Sequence, residues 1–163
     1  MLIEAIKKRR SIRAYRSDAV ADELIEEIVR AGQLAPTAHG TGAIEFIVVK
    51  DQKVKDALFA VTGQDYVKEV PVIIVPVATE AAMLPVQDLS VACENIFLQA
   101  TELGLGSVWK NVSPEWEGEV KKILVVPDKA RVINLIPLGF SAETPETRAK
   151  EALVAEKIHK DRW

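Results

Sequence analysis

The sequence predicts an α+β fold in which helices sandwich a single sheet, and three observations carry that prediction. Segments with the helical apolar repeat are mixed along the chain with short β-branched runs, after two helices at the start. Tight hairpin signals are few. The runs 70–77 and 132–140 are strongly apolar, and the near-continuous apolar character of 70–77 suggests burial on both faces. A chain of 163 residues with 48% hydrophobic and 28% charged residues fits one soluble domain. Such a domain buries about two-thirds of its unfolded surface.

Each element has a local cause. Leu2, Ile3 and Ile6 give residues 2–9 a brief apolar helical face. Asp22 and Glu23 open a second helix with acids in its first turn, and it stops before Pro36. Its apolar stripe is Leu24, Ile25, Ile28, Ala31 and Gly32. The small-residue loop Pro36–Gly42 leaves backbone free to approach a ligand, although such loops commonly serve as plain surface connections. Ile44–Val49 reads as a strand, Asp51–Val61 as a helix, and Val70–Val77 as a strand interrupted by Pro71 and Pro76. The longest helix runs from Val86 to Leu103, with Leu89, Ala92, Ile96, Ala100 and Leu103 on one face and Gly104 as its stop. Cys93 widens that stripe as a buried small hydrophobe. Leu105–Trp109 continues into a short strand, Pro114–Leu124 is a helix with proline at its start, and Val132–Phe140 is the last strand. A polar tail, Glu143–Trp163, is expected to be helical from Thr147 to His159 and to reach another surface through Trp163.

Charge is unevenly spread. The first sixteen residues hold Lys7, Lys8, Arg9, Arg10, Arg13 and Arg16 against Glu4 alone, while the remainder has 15 bases against 23 acids. The chain as a whole carries −3. Arg9, Arg10, Ser11 and Arg13 offer guanidinium forks and a hydroxyl, a donor set suited to a phosphate. A solvated basic helix end would look the same, because cations are favoured near helix C-termini by about 0.3–1 kcal/mol. With one basic knot on an acidic chain, general nucleic-acid binding is not expected. A bare basic-patch interaction module remains the bland alternative.

Other chemistries find little support. His39 and His159 lack an evident nucleophile partner, and no histidine or cysteine spacing suits a metal. The lone Cys93 excludes an internal disulfide. Gly104-x-Gly106 lacks the third glycine and the preceding strand of a dinucleotide fingerprint. There is no run of 18 apolar residues and no apolar signal core, so a cytoplasmic protein without membrane contact is expected. A phosphate knot with little acid–base machinery fits an organic cofactor that carries the chemistry, with no catalytic side chain.

Several segments taken together resemble the nitroreductase family of FMN-dependent oxidoreductases. Arg9-Arg10-Ser11-Ile12-Arg13-Ala14-Tyr15 is similar to its N-terminal arginine motif. Leu34–Ala38 followed by Glu45–Val49 resembles its A-P-S-A loop and next strand. Asp88–Ala100 with Glu102–Trp109 resembles its central helix and E-L-G-L-G-S-x-W turn, and Leu138-Gly139-Phe140 with Arg148 resembles its last strand and C-terminal arginine. The resemblance implies one nitroreductase-like domain over 1–163, a mostly antiparallel sheet, and an intertwined homodimer with 143–163 extending across it. It implies FMN, with Arg9, Arg10, Ser11, Arg13 and Arg148 on the phosphate. Pro36 and Thr37 would face the ring from the partner subunit, and Leu105, Gly106 and Trp109 would lie along its other side. NADH or NADPH would supply hydride for a nitroaromatic, quinone or similar acceptor.

The sequence departs from the family after the A-P-S-A loop. His39-Gly40-Thr41-Gly42 stands where the pattern runs x-N-x-Q, so Gly40 and Gly42 replace a flavin-contacting Asn and Gln. His39, Gly40 and Thr41 become substrate-side candidates. The same change motivates an alternative, a flavin-binding or flavin-sensing protein with little turnover.

Overall fold

The computed structural model describes residues 2–145 and 154–163. In chain order the elements are α1 (Glu4–Lys8), α2 (Asp22–Gln33), β1 (Ile44–Val49), α3 (Gln52–Thr62), α4 (Asp65–Glu69) and β2 (Val72–Ala78). There follow α5 (Pro85–Glu102), β3 (Gly106–Ser107), β4 (Lys110–Asn111), α6 (Pro114–Leu124) and β5 (Asn134–Gly139), with short 3-10 turns at Ala38–Gly40 and Ala155–Lys157. The sheet order is β1-β2-β5-β3, with β4 also on β5, and every strand pair is antiparallel. A single parallel bridge, Ser11 to Ser107, adds the N-terminal motif to the edge. The expected α+β sandwich with a mostly antiparallel sheet is therefore present.

Strand β2 explains the two-layer core. All its residues are buried, and its side chains alternate between two hydrophobic clusters as the strand period requires. Ile73, Val75 and Val77 join one cluster with Leu58, Val67 and Val120 from α3, α4 and α6. Val72 and Ile74 join the other with Ile25, Ile28, Ile96 and Phe97 from α2 and α5. Ends are set locally. The Asp51 side chain accepts a hydrogen bond from the Val54 amide at 3.2 Å to cap α3, while Gly104, at φ +76°, follows the end of α5 in the left-handed conformation that glycine tolerates best.

Six expectations need correction. Helix α1 is shorter than 2–9, and α4 was not anticipated, its five residues being too few to show a period. With Val70 closing α4 and Pro71 following, β2 begins at Val72 instead of Val70. Of the strand expected over Leu105–Trp109 only β3 forms, and β4 follows beyond its expected end in the same register on β5. The gap falls at Val108 and Trp109, beside Pro137, which has no N–H to give the ladder. Strand β5 itself is narrower than 132–140. The expected tail helix falls partly on 146–153, outside the described residues; from Val154 to His159 there is only a 3-10 turn. These residues bury no apolar face, and a short helix without tertiary packing is marginal in water.

Candidate functional site

The arginine motif leaves α1 and runs along the sheet edge. The Ile12 amide donates to the Ser107 carbonyl at 3.0 Å, and Gly106 lies directly against the Ile12 side chain, where a Cβ would come within 2.8 Å of it. Tyr15 anchors the far end: its hydroxyl donates to the Ile12 carbonyl at 2.6 Å and approaches the Pro137 carbonyl at 3.3 Å. Burial pushes that phenol well above its ordinary pKa, so it remains a donor.

The side chains of the motif diverge around this edge. Arg9 faces α5, with its Nε 3.7 Å from Glu94. Arg10 donates to the carbonyls of Lys7 and Arg9, both at 2.7 Å. Arg13 faces the opposite layer beside Tyr66 of α4, whose phenol is raised by burial against the lowering pull of that guanidinium. The Arg13 backbone amide is held by the Glu143 carboxylate at 2.6 Å. A cleft of about 180 Å³ gathers Lys8, Arg10, Ile12, Leu105, Gly106 and Ser141. Sequence reasoning singled out Arg10, Leu105 and Gly106. It did not assign Lys8, which was legible only as part of the basic run, or Ser141, which had no sequence signal.

The second group lies elsewhere. Thr37 and Gly42 line a separate cleft of about 240 Å³ with Gly32, Gln33, Ala35 and Ile44. The two clefts share no lining residue. The Gly42 amide donates to Thr37 Oγ1 at 2.9 Å, and His39, Gly40 and Gly42 all have positive φ, at +56°, +65° and +60°. Thr41 is exposed beside them. Trp109 is half-buried against Phe97, ring centroids 6.4 Å apart in an edge-on pair. Arg148 lies outside the described residues. No group of metal-ligating side chains occurs among the described residues, and no described helix is long and apolar enough to cross a membrane.

Cys93 is fully buried, its thiol 3.4 Å from Asn134 Oδ1. Burial raises its pKa to about 12. The native thiol will therefore resist alkylation at pH 8 and react only on unfolding, as mass labelling across a urea series will show. Because the native state keeps its proton where the unfolded chain loses one, stability will fall with rising pH between about 9 and 12. Rapid labelling of folded protein would contradict this.

The arrangement can bind an anion at the basic cleft and offer backbone and small side chains at the loop, with no metal-ligating set among the described residues. The nitroreductase family model matches residues 6–69 and 60–140. A protein of Methanothermobacter thermautotrophicus, provisionally named NADH dehydrogenase/NAD(P)H nitroreductase, is 37% identical over 170 residues, covering 99% of this chain and 87% of that protein. An FMN-dependent nitroreductase from Clostridium difficile R20291 has the same fold at a TM-score of 0.91 and 34% identity, across 99% of this chain and 100% of that one. The NADPH:FMN oxidoreductase from Vibrio harveyi, solved with NAD+, shares the fold at a TM-score of 0.87 and 22% identity, across 98% of this chain and 76% of its own. Fold, sequence and family model agree, and the chain belongs to the nitroreductase family.

Proposed function

We propose that this protein is an FMN-dependent oxidoreductase that takes hydride from NADH or NADPH and reduces a nitroaromatic, quinone or similar small acceptor. The observation that carries this is the cleft in which Arg10 and Lys8 meet Gly106 and Leu105. Its donor set fits FMN: cations and the nearby Ser11 hydroxyl for a phosphate, and glycine backbone that a planar ring can approach closely. Arg10 and Ser11 would hold the phosphate at this cleft with Arg148 from the tail, and Arg9 and Arg13, whose side chains here face Glu94 and Tyr66, would join them by turning toward it. Leu105, Gly106 and Trp109 would flank the ring. When bound, FMN supplies hydride acceptance and delivery, which no side chain here can perform. The chain's own work is to bind, orient and screen that group, with positive charge at one end and backbone donors along the loop.

A homodimer is part of the proposal. Pro36 and Thr37 would face the ring from the partner subunit, which suits a loop whose cleft is separate from the basic one in the same chain. An open groove of about 480 Å³ between α1, α2 and α5, with Ile3 and Leu34 exposed at 66% and 74%, offers apolar surface for a second copy. The extension 143–163 would cross to that copy, ending in the fully exposed Trp163. We place the protein in the cytoplasm, without nucleic-acid or membrane partners.

The test is an absorbance spectrum of the purified protein with FMN, before and after anaerobic NADH or NADPH. A yellow dimer bleached by at least one donor is the expected result, and a colourless protein that refuses FMN would overturn the proposal. Binding without bleaching would instead identify a flavin sensor or carrier, in keeping with Gly40 and Gly42, which present no side chain to the ring. Arg13→Ala should weaken FMN binding by about 1.5–3 kcal/mol, the range for a hydrogen bond to a charged group. Fluorescence titration of FMN will read this directly, and an unchanged affinity would remove Arg13 from the phosphate site.

A further inference from the structure

Asp88 is the only buried acid among the described residues, at 4% exposure, and packing alone gives no reason for a carboxylate there. It lies in the first turn of α5, where the helix dipole favours negative charge. Its Oδ1 accepts a hydrogen bond from the Ala38 amide at 2.9 Å, across fifty positions of sequence. Its Oδ2 is buried with no partner among the described residues. A half-satisfied buried carboxylate is costly, so the one bond it makes has to matter.

That bond lands on the loop carrying the substrate-side residues. Inside the loop the Gly40 amide donates to the Thr37 carbonyl at 2.9 Å and the Gly42 amide to Thr37 Oγ1 at 2.9 Å. Those contacts close the loop on itself and do not fix it to the fold. At its far end the Thr79 amide donates to the Ala43 carbonyl at 3.0 Å, tying the loop to the end of β2. At its near end the tie is Asp88. Between the two ties sit His39, Gly40 and Gly42 in left-handed conformations, which for His39 must be enforced from outside.

The geometry points to Asp88 as a positioning residue that sets the approach of the Pro36–Gly42 loop to the flavin ring, and with it the efficiency of hydride transfer. This rests on the flavin assignment of the loop. Asp88 acts through Ala38 and touches neither donor nor acceptor. Its loss should therefore spare cofactor affinity, which the phosphate contacts govern, and damage the reaction.

The test compares wild type, Asp88→Ala, Asp88→Asn, Ala38→Pro and the Asp88→Ala/Ala38→Pro double variant, each with bound FMN. Thr37 at ψ 154° accepts a following proline, so Ala38→Pro deletes the donor while leaving Asp88 in place. In Asp88→Ala, amide exchange over residues 37–43 should rise, and anaerobic flavin bleaching by the nicotinamide should slow, each by about tenfold or more, the factor a charge-assisted hydrogen bond commands. The FMN dissociation constant should stay within about threefold, because the phosphate contacts are untouched. Ala38→Pro should match that slowing, and the double variant should be no worse than either single change. Asp88→Asn, whose side-chain oxygen can still accept from Ala38, should recover most of the rate, and it carries the test with Ala38→Pro if the alanine variant does not fold. Wild-type exchange and bleaching in Asp88→Ala, multiplying effects in the double variant, or exchange that rises equally through β2 would each overturn the inference. If wild type takes up no FMN, the function assignment fails, while the exchange comparison still decides whether Asp88 holds the loop.

Discussion

Replacing Gly106 by valine is expected to destabilise the protein by about 2–3 kcal/mol and to impair the basic cleft at the same time. A Cβ at Gly106 would meet Cβ, Cγ1 and Cγ2 of Ile12 at 2.8–2.9 Å, closer than real side chains sit. Ile12 cannot swing aside cheaply, since its amide is fixed to the Ser107 carbonyl and its own carbonyl receives the Tyr15 hydroxyl. The motif must then shift as a unit, and Arg10, which lines the same cleft as Gly106, shifts with it. A fall in urea midpoint at constant slope, together with weakened FMN titration, is the expected pair of results. Lost stability with intact FMN affinity would mean that the Ile12 contact does not transmit to the arginines. Gly118 is the control, because nothing lies within 4 Å of a Cβ there. It is an interior helix position, so Gly118→Ala should be stabilising by a few tenths to about 1 kcal/mol.

How much of this was legible depends on whether a feature is made locally. Strand β1 and helix α6 match their expected limits to the residue. A β-branched run after Gly42 and a proline at the first helical position are local causes. Helix α4 was hidden because five residues hold no period, and the break between β3 and β4 was hidden because it depends on which strand Pro137 faces. The site divides in the same way. Arg10, Leu105 and Gly106 were singled out separately, from a charge run and a turn, and the fold brings them to one cleft. Arg13 lies two positions from Ser11 in a motif that looks like one donor set, yet its side chain stands beside Tyr66 while Arg9 faces Glu94. From Arg9 to Arg16 the chain touches the sheet only through isolated bridges at Ser11 and Tyr15 and keeps no strand period, so its side chains need not share a face, which a list of donors does not reveal. Asp88 was invisible for another reason. An acid in the first turn of a helix is the ordinary complement to the dipole, and only the tertiary contact to Ala38 marks it out.

The largest stability loss is expected on β2, where burial on both faces makes neighbouring residues answer to different cores. Ile74 is fully buried, opposite Val48 on β1 and Ile136 on β5, and packs into the α2–α5 layer. Ile74→Ala should cost about 2–5 kcal/mol, and Ile74→Val about 0.5–1.5 kcal/mol, since neighbours held by ladder bonds on both sides can collapse little into the cavity. Ile73 is equally buried but points into the α3–α6 layer. Its alanine variant should lose a similar amount through a different set of contacts. Because the two side chains lie on opposite faces of the sheet and belong to separate clusters, their losses should add to within about 0.5 kcal/mol. The sum approaches the whole stability of a domain of this size, about 5–15 kcal/mol, so the double alanine variant should be largely unfolded at 25 °C. Circular dichroism against urea for the two single variants and the double decides the matter. A double variant that keeps a cooperative transition near that of either single change would show the two layers to be one core, sharing a cavity that relaxes across β2.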